Sequence, residues 1–338
     1  MYPTSLSGSR PARFQPYVIP ERRRKAARKD VREKKYVKAI DSYKKLPNNM
    51  QRTVSSQLQI ARAKLHMGEY DDAELILREQ RYQNNVNMHK EGCFTYAMED
   101  YKRVELAYAK CLTQSKNKGK ISEALKVLEK LRFIENQEHN CHYPERICND
   151  INIELAISRA LEALGDIESL QQAEENVRIL RRRYNRDHKR ACIDDCSGDL
   201  SIELALTCIL SKFDGKSQEE RAILFELYEQ YRESELPALH LGNHFFLIAC
   251  KEINSQNCYQ ASLDLALMYA ELSVSKNKTA SNLSSLAHIQ RLLGDPVNAA
   301  KQWSEASKLR SHTTHLEMSE SWRSVEHSAL RKLEASQQ

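Results

Sequence analysis

The side chains in this sequence best suited to chemistry are its thiols and imidazoles. His139, Cys141, His142 and Cys148 crowd one short stretch, and His188, Cys192 and Cys196 another. Thiolate sulfur and imidazole nitrogen are ligands of tetrahedral zinc, so the two groups could be imagined joined in one site. Neither contains the Cys-x-x-Cys pairs that preset two ligands at the angle zinc demands, and the expectation is ordinary buried or surface thiols, with no metal and no cofactor. Nine cysteines, an odd count with irregular spacing, suit reduced thiols in a cytosolic setting better than a disulfide framework. The sequence holds no Gly-x-x-x-x-Gly-Lys phosphate loop, no Gly-x-Ser-x-Gly elbow and no His-Glu-x-x-His helix. Nine glycines in 338 residues leave little material for a strained catalytic loop, and the chain reads as a non-enzyme.

Its other chemistry is charge. Residues 1–46 hold 14 Lys and Arg against 4 Asp and Glu, a net +10, so the rest of the chain is mildly acidic although the whole carries +6. Arg22 and Arg23, then after ten residues Lys34, Lys35 and Lys38, have the spacing of a bipartite nuclear-import signal, with Arg24 and Lys25 in the same basic segment. The same residues also suit a solvated helix face, or an electrostatic foot for RNA or an anionic membrane. The lack of aromatic residues over 21–35 weighs against base stacking. Localisation is expected to be cytoplasmic, with the nucleus as the alternative.

These groups must be carried on helices. A chain that is 41% hydrophobic can bury a large core, and eight prolines with nine glycines are too few for a turn-rich β fold. The longest apolar run, His244 to Cys250, is far short of a membrane span, and residues 1–20 lack the apolar stretch of a secretory signal. Residues 1–20, with four prolines, predict a disordered basic arm; residues 21–335 predict a helical domain. Helical periodicity places segments near 22–45, 50–67, 70–84, 94–117, 120–136, 145–164, 167–186, 199–212, 217–233, 237–253, 257–274 and 280–310. A final helix opens with a capping box at Thr314 to Glu317 and aligns Met318, Trp322, Val325, Ala329 and Leu333 on one face, as a terminal cap should.

A pattern recurs through the helices. Ile60-Ala61 leads through Gly68-Glu69-Tyr70-Asp71-Asp72-Ala73 to Leu77, and Leu286-Ala287 through Gly294-Asp295-Pro296-Val297-Asn298-Ala299 to Trp303. Glycine ends one helix and a small Ala lets the next fold back against it. Fainter copies sit at Tyr36 to Tyr43, at Gly119 to Leu128, and at Leu164-Gly165-Asp166-Ile167, where Ala173 falls three residues late. Ala39 to Ala73 is 34 residues, the tetratricopeptide period, but Ala73 to Ala124 is 51. The chain thus resembles a tetratricopeptide-repeat protein with degenerate repeats. That resemblance implies an all-α solenoid of antiparallel helix pairs, wound as a right-handed superhelix and closed by the C-terminal capping helix.

The resemblance also implies where a partner sits. In that family the first helix of each pair lines the concave groove, and the residue after its small packing residue points into it. Carried onto this chain, that puts Arg62, Arg159 and His288 in the groove, with His66 and Arg291 a turn further on. Such a groove is basic and suits an acidic or extended peptide of a partner protein, held by charge-assisted hydrogen bonds. The lysine and asparagine clamp for chaperone tails is not found at the corresponding Leu58, Arg62 and Ser284. The expected function is a non-enzymatic interaction scaffold; the alternative is RNA binding by the basic helix and groove. Ala73→Trp and Ala299→Trp should each destabilise by ~1 to 3 kcal/mol, because a close helix crossing cannot accept the larger ring, and thermal melts of the two variants measure this.

Overall fold

The computed structural model describes residues 18–32, 35–88, 94–115, 117–138, 148, 150–191, 197–213, 215–255, 257–309, 327–332 and 335. Along these the chain forms α1 (Val18–Arg32), α2 (Tyr36–Lys44), α3 (Asn48–Gln51), α4 (Val54–Met67), α5 (Tyr70–Met88), α6 (Phe94–Thr113), α7 (Lys118–Glu138) and α8 (Ile151–Leu164). It continues through α9 (Ile167–Ala191), α10 (Ser197–Leu210), α11 (Ser217–Gln230), α12 (Glu235–Asn254), α13 (Gln260–Lys276), α14 (Ala280–Leu292) and α15 (Pro296–Leu309). No strand occurs among the described residues. Each helix from α4 onward packs on its neighbours in sequence, giving the expected stack of antiparallel pairs. The even helices also touch one another, α4 on α6, α6 on α8, α8 on α10 and α12 on α14, while successive odd helices make no comparable contact. A stack whose members meet along one row only bends toward that row, so the even helices form the inner layer.

Local chemistry sets the helix ends. Thr53, Asp150 and Thr279 accept backbone N–H groups at the starts of α4, α8 and α14. Gly68 and Gly165 close α4 and α8 in the left-handed conformation, with φ of 76° and 73°, where a Cβ would be strained. Gly119 does not end a helix as the sequence pattern suggested: Asn117 caps α7 by accepting from the N–H of Gly119, so the glycine lies in the first turn. This accounts for the late alanines. α7 and α9 begin one turn earlier relative to their buried Ala124 and Ala173 than α5 and α15 do relative to Ala73 and Ala299. One turn is ~3.6 residues, so the alanine keeps its face, and all four are fully buried. The single helix expected over 22–45 is two, α1 and α2, and α1 starts at Val18, inside the span assigned to the arm.

The stack is locked by a repeated buried ion pair. Arg81 on α5 donates to Glu105 on α6 at 2.7 Å, Arg132 on α7 grips both oxygens of Glu154 on α8, and Arg181 on α9 meets Glu203 on α10. The three glutamates are buried and lie 49 residues apart, each opening a Glu-Leu-Ala triplet. Glu154 takes a further hydrogen bond from the N–H of Cys148 at 2.6 Å, which ties the loop before α8 to the same carboxylate. Longer side chains bridge the outer row: Lys120 reaches Glu74 at 2.8 Å, and Arg178 reaches Glu219 at 2.7 Å.

At the N-terminal end Ala27, Val31, Ala39, Ile40 and Tyr43 pack against Ile60, Ala63 and Met67 as a core of their own. At the other end Ala329 is fully buried in the main core and the Ser328 hydroxyl donates to the Asn254 side-chain oxygen at 2.9 Å. This is the described part of the expected capping helix; Thr314 to Glu317, Met318, Trp322, Val325 and Leu333 lie outside the described residues. Removing one member of a buried pair costs ~3 to 5 kcal/mol, whereas replacing both by apolar groups is often neutral. Arg132→Met and Glu154→Leu should therefore each lower stability strongly and the double variant should recover most of the loss, as measured in a denaturant double-mutant cycle.

Candidate partner-binding face

The inner helices share one register. Ala61, Ala109, Ser158, Thr207 and Ala287 are buried small residues on α4, α6, α8, α10 and α14, and Gly242 fills the place on α12. A Cβ on Gly242 would lie 3.2 Å from the backbone nitrogen of Ala270, so a side chain here would press α12 away from α13 by a few tenths of an ångström. The residues that follow are Arg62, Lys110, Arg159, Cys208, Asn243 and His288. Arg62 and Arg159 are exposed, and Lys110 stands half-buried between them. Burial, then the charge of Arg159 and, more weakly, Arg62, push the Lys110 ammonium below its usual pKa, with Asp150 opposing. Lys110 is thus repelled by a cation on each of the two neighbouring inner helices. One turn before them stand Leu58, Leu106 and Leu155.

His66 stacks on Tyr36 with ring centroids 5.0 Å apart, and Arg62 acts on the same tyrosine, so both border the face where α2 meets α4. His288 lies edge-on to Trp303 at 5.4 Å, within its own helix pair, and exposed Arg291 is one turn on. These two stand on α14, apart from the cluster on α4, α6 and α8. Of the basic segment, Arg22, Arg23 and Lys25 are exposed on α1 and Arg24 is half-buried. Exposed Lys38 on α2 pairs with Asp30 at 3.3 Å, Lys35 precedes α2, and Lys34 lies outside the described residues.

Lys110 was missed because the 34-residue period does not reach it. Arg62, Lys110, Arg159 and Cys208 are 48, 49 and 49 residues apart, and the buried small residue before each, like the Glu-Leu-Ala triplets, was visible in the sequence. A period near 49 finds them.

Where α10 and α12 fail to make the contact that joins other inner neighbours, a polar cavity of about 130 Å³ opens. Glu162, Thr207, Cys208, Ser211 and Lys212 line one side, and Glu220, His240, Asn243, His244 and Leu247 the other. The Cys208 sulfur is 3.9 Å from Nδ1 of His240. Burial pushes the thiol up to about 12 and the imidazole down to about 4, so both are neutral at pH 7. A nucleophilic pair needs the opposite shifts. Burial also raises Glu162, whose Oε1 is 3.9 Å from the Lys212 ammonium. His244 Nδ1 lies 3.0 Å from Oε2 of buried Glu220.

Among the described residues no group of three or more His, Cys, Asp or Glu could hold a metal, and no helix is long and apolar enough to cross a membrane. Of the residues first considered for zinc, only Cys148 is placed, with its thiol buried beside the Asp150 carbonyl at 3.7 Å. The side chains of His139, Cys141, His142, His188, Cys192 and Cys196 lie outside the described residues.

No family model and no curated protein matches the chain. Among solved structures it is similar to a tetratricopeptide repeat protein from Parabacteroides merdae, at 12% identity over 92% of this chain and 98% of that one, with a TM-score of 0.47. It is similar also to yeast Tom70, at 13% identity over 93% of this chain and 81% of that one, with a TM-score of 0.24.

The thiol chemistry is open to a direct check. With iodoacetamide at pH 7, mass spectrometry should show exposed Cys258 alkylated well before Cys208; comparable labelling of Cys208 would mark it as an activated thiolate.

Proposed function

We propose that the inner face is a protein-interaction surface that holds an extended, acidic segment of a partner, with Arg62, Lys110 and Arg159 as its anionic anchors. The observation that supports this most is the repulsion that Arg159 and Arg62 exert on Lys110, which the fold desolvates without giving it a counter-charge of equal weight. Groups held in such surroundings are favoured sites for an opposite charge from outside. Spacing agrees: neighbouring inner helices lie ~10 Å apart, and a segment in the polyproline II conformation advances ~3.1 Å per residue with three residues per turn, so every third side chain returns to the same face. Acidic side chains at every third position would meet the three cations in turn, while apolar residues between them reach the leucines one turn back. Among the described residues the only stacked rings bordering this face are Tyr36 and His66, which gives little platform for bases, so RNA ranks second. Salt separates the two: RNA neutralised at six or more phosphates loses affinity by orders of magnitude between ~50 and ~200 mM, a three-carboxylate peptide far less.

Binding of a peptide carrying a glutamate at every third position should fall at least tenfold in Arg62→Glu/Arg159→Glu, with circular dichroism unchanged; equal affinity in the folded variant would clear these arginines of the role. Lys110→Met should weaken the same peptide and raise thermal stability. The sign follows from the lowered native pKa: at pH 7 the ammonium is charged in both states, the native state carries the penalty in full, and the penalty fades as pH rises through that lowered value.

A further inference from the structure

The cavity between α8, α10 and α12 is small and lined mainly by polar side chains. Its hydroxyls have already spent their hydrogens: Thr207 donates to the Leu204 carbonyl at 2.9 Å and Ser211 to the Cys208 carbonyl at 2.7 Å, so both oxygens are left with lone pairs only. With the Glu220 carboxylate accepting from Nδ1, His244 also keeps a lone pair at Nε2, and that buried atom has no hydrogen-bond partner although the residue is only 3% exposed. Glu162 adds a carboxylate whose nearest cation, Lys212, stands off at 3.9 Å on the exposed rim. Lys212 on the rim and the Asn243 amide can donate there, but the buried imidazole nitrogen of His244 still lacks what a donor would bring. The volume of about 130 Å³ is well below the ~300 to 1,000 Å³ of small-molecule pockets and suits the end of one side chain.

We infer that this cavity is a binding site for a primary ammonium, the tip of a lysine side chain on the partner segment, held by Glu162, the Thr207 and Ser211 oxygens and Nε2 of His244. The source of the ammonium rests on the peptide reading above; the site itself does not. Glu162 lies on α8 one turn after Arg159, and the cavity continues to α10, the next inner helix. A lysine about three residues beyond the acidic residue that meets Arg159 would therefore reach it.

Two measurements on the full chain test the inference. In the first, n-butylammonium is titrated while the side-chain nitrogens of His244 and His240 are followed by nuclear magnetic resonance, with n-butanol and acetate as controls. A saturable shift at His244 Nε2 with the amine alone is expected, and Glu162→Gln should weaken it at least tenfold. Asn243→Leu, which narrows the cavity without touching its charge, should abolish it. Should n-butylammonium give no saturable shift, or n-butanol an equal one, the cavity holds water only and the inference falls. In the second, acidic peptides ending in lysine at either terminus are compared with norleucine twins. The better-placed lysine should gain at least tenfold over its twin, the gain should vanish in Glu162→Gln, and Arg62→Glu/Arg159→Glu should weaken both twins alike. Twins that bind equally while the amine saturates would overturn the peptide as source. Failure of both twins to bind would count against the acidic-segment reading and leave the amine titration to decide the cavity.

Discussion

The arginine–glutamate pair at each pair-to-pair junction is the contact on which the central stack depends. Arg81–Glu105, Arg132–Glu154 and Arg181–Glu203 each join the outer helix of one pair to the inner helix of the next, with the carboxylate buried. Burying a carboxylate is costly, and a leucine in its place would supply comparable adhesion without the desolvation. A directional pair supplies register. Helix faces studded with Leu, Ala and Val can slide by a turn at small cost, since one apolar contact resembles the next; a guanidinium that must meet one buried carboxylate, and at Arg132 both of its oxygens, cannot. Repeating the buried glutamate every 49 residues fixes the phase of successive inner helices and so brings Arg62, Lys110 and Arg159 onto one surface.

The same rule explains why the polar cavity lies where it does. Beyond Glu203 the series stops: α12 carries Ala238 and Leu239 where the earlier inner helices carry Glu and Leu before the groove residue, and the pair there is Glu220 with His244. Without the arginine lock, α10 and α12 draw apart, and the space fills with side chains that would otherwise be groove residues. Gly242 compensates on the other side, letting α12 settle closely on α13, so the fold closes outward at the point where it opens inward. Burial in that space keeps a thiol and an imidazole uncharged, the reverse of the shifts that activate a nucleophilic pair.

How much of this was legible in the sequence depended on which signal carried it. Helices from α4 to α15 were readable from apolar periodicity and from glycine stops such as Gly68 and Gly165, which act locally, whereas the starts of α4 and α8, set by Thr53 and Asp150, were not placed. The break between α1 and α2 was not, because Arg, Lys and Glu are good helix formers throughout 21–35 and only the docking of Ala27 and Val31 beside Ala39 requires the turn. The 34-residue spacing of Ala39 and Ala73 led away from the central period, since helices as long as the 25 residues of α9 stretch the unit to about 49. A search anchored on Glu-Leu-Ala at 105, 154 and 203 recovers it, and with it Lys110.

Lys110 itself shows how stability and recognition are traded along this face. On α4 and α8 the groove arginines reach solvent and cost the fold little, but the equivalent position on α6 lies between them, and any cation there is desolvated and repelled. A methionine would pack against Leu106 and Ala107 and relieve both penalties. A chain free to choose for stability alone has no reason to place a lysine there; on the acidic-segment reading proposed above, the central anchor gains most when a counter-charge arrives in the least hydrated position. On that reading the unfavourable charge sits midway along the locked segment, where an incoming acid would find the strongest field, and the buried pairs hold the helices that carry the three cations in register.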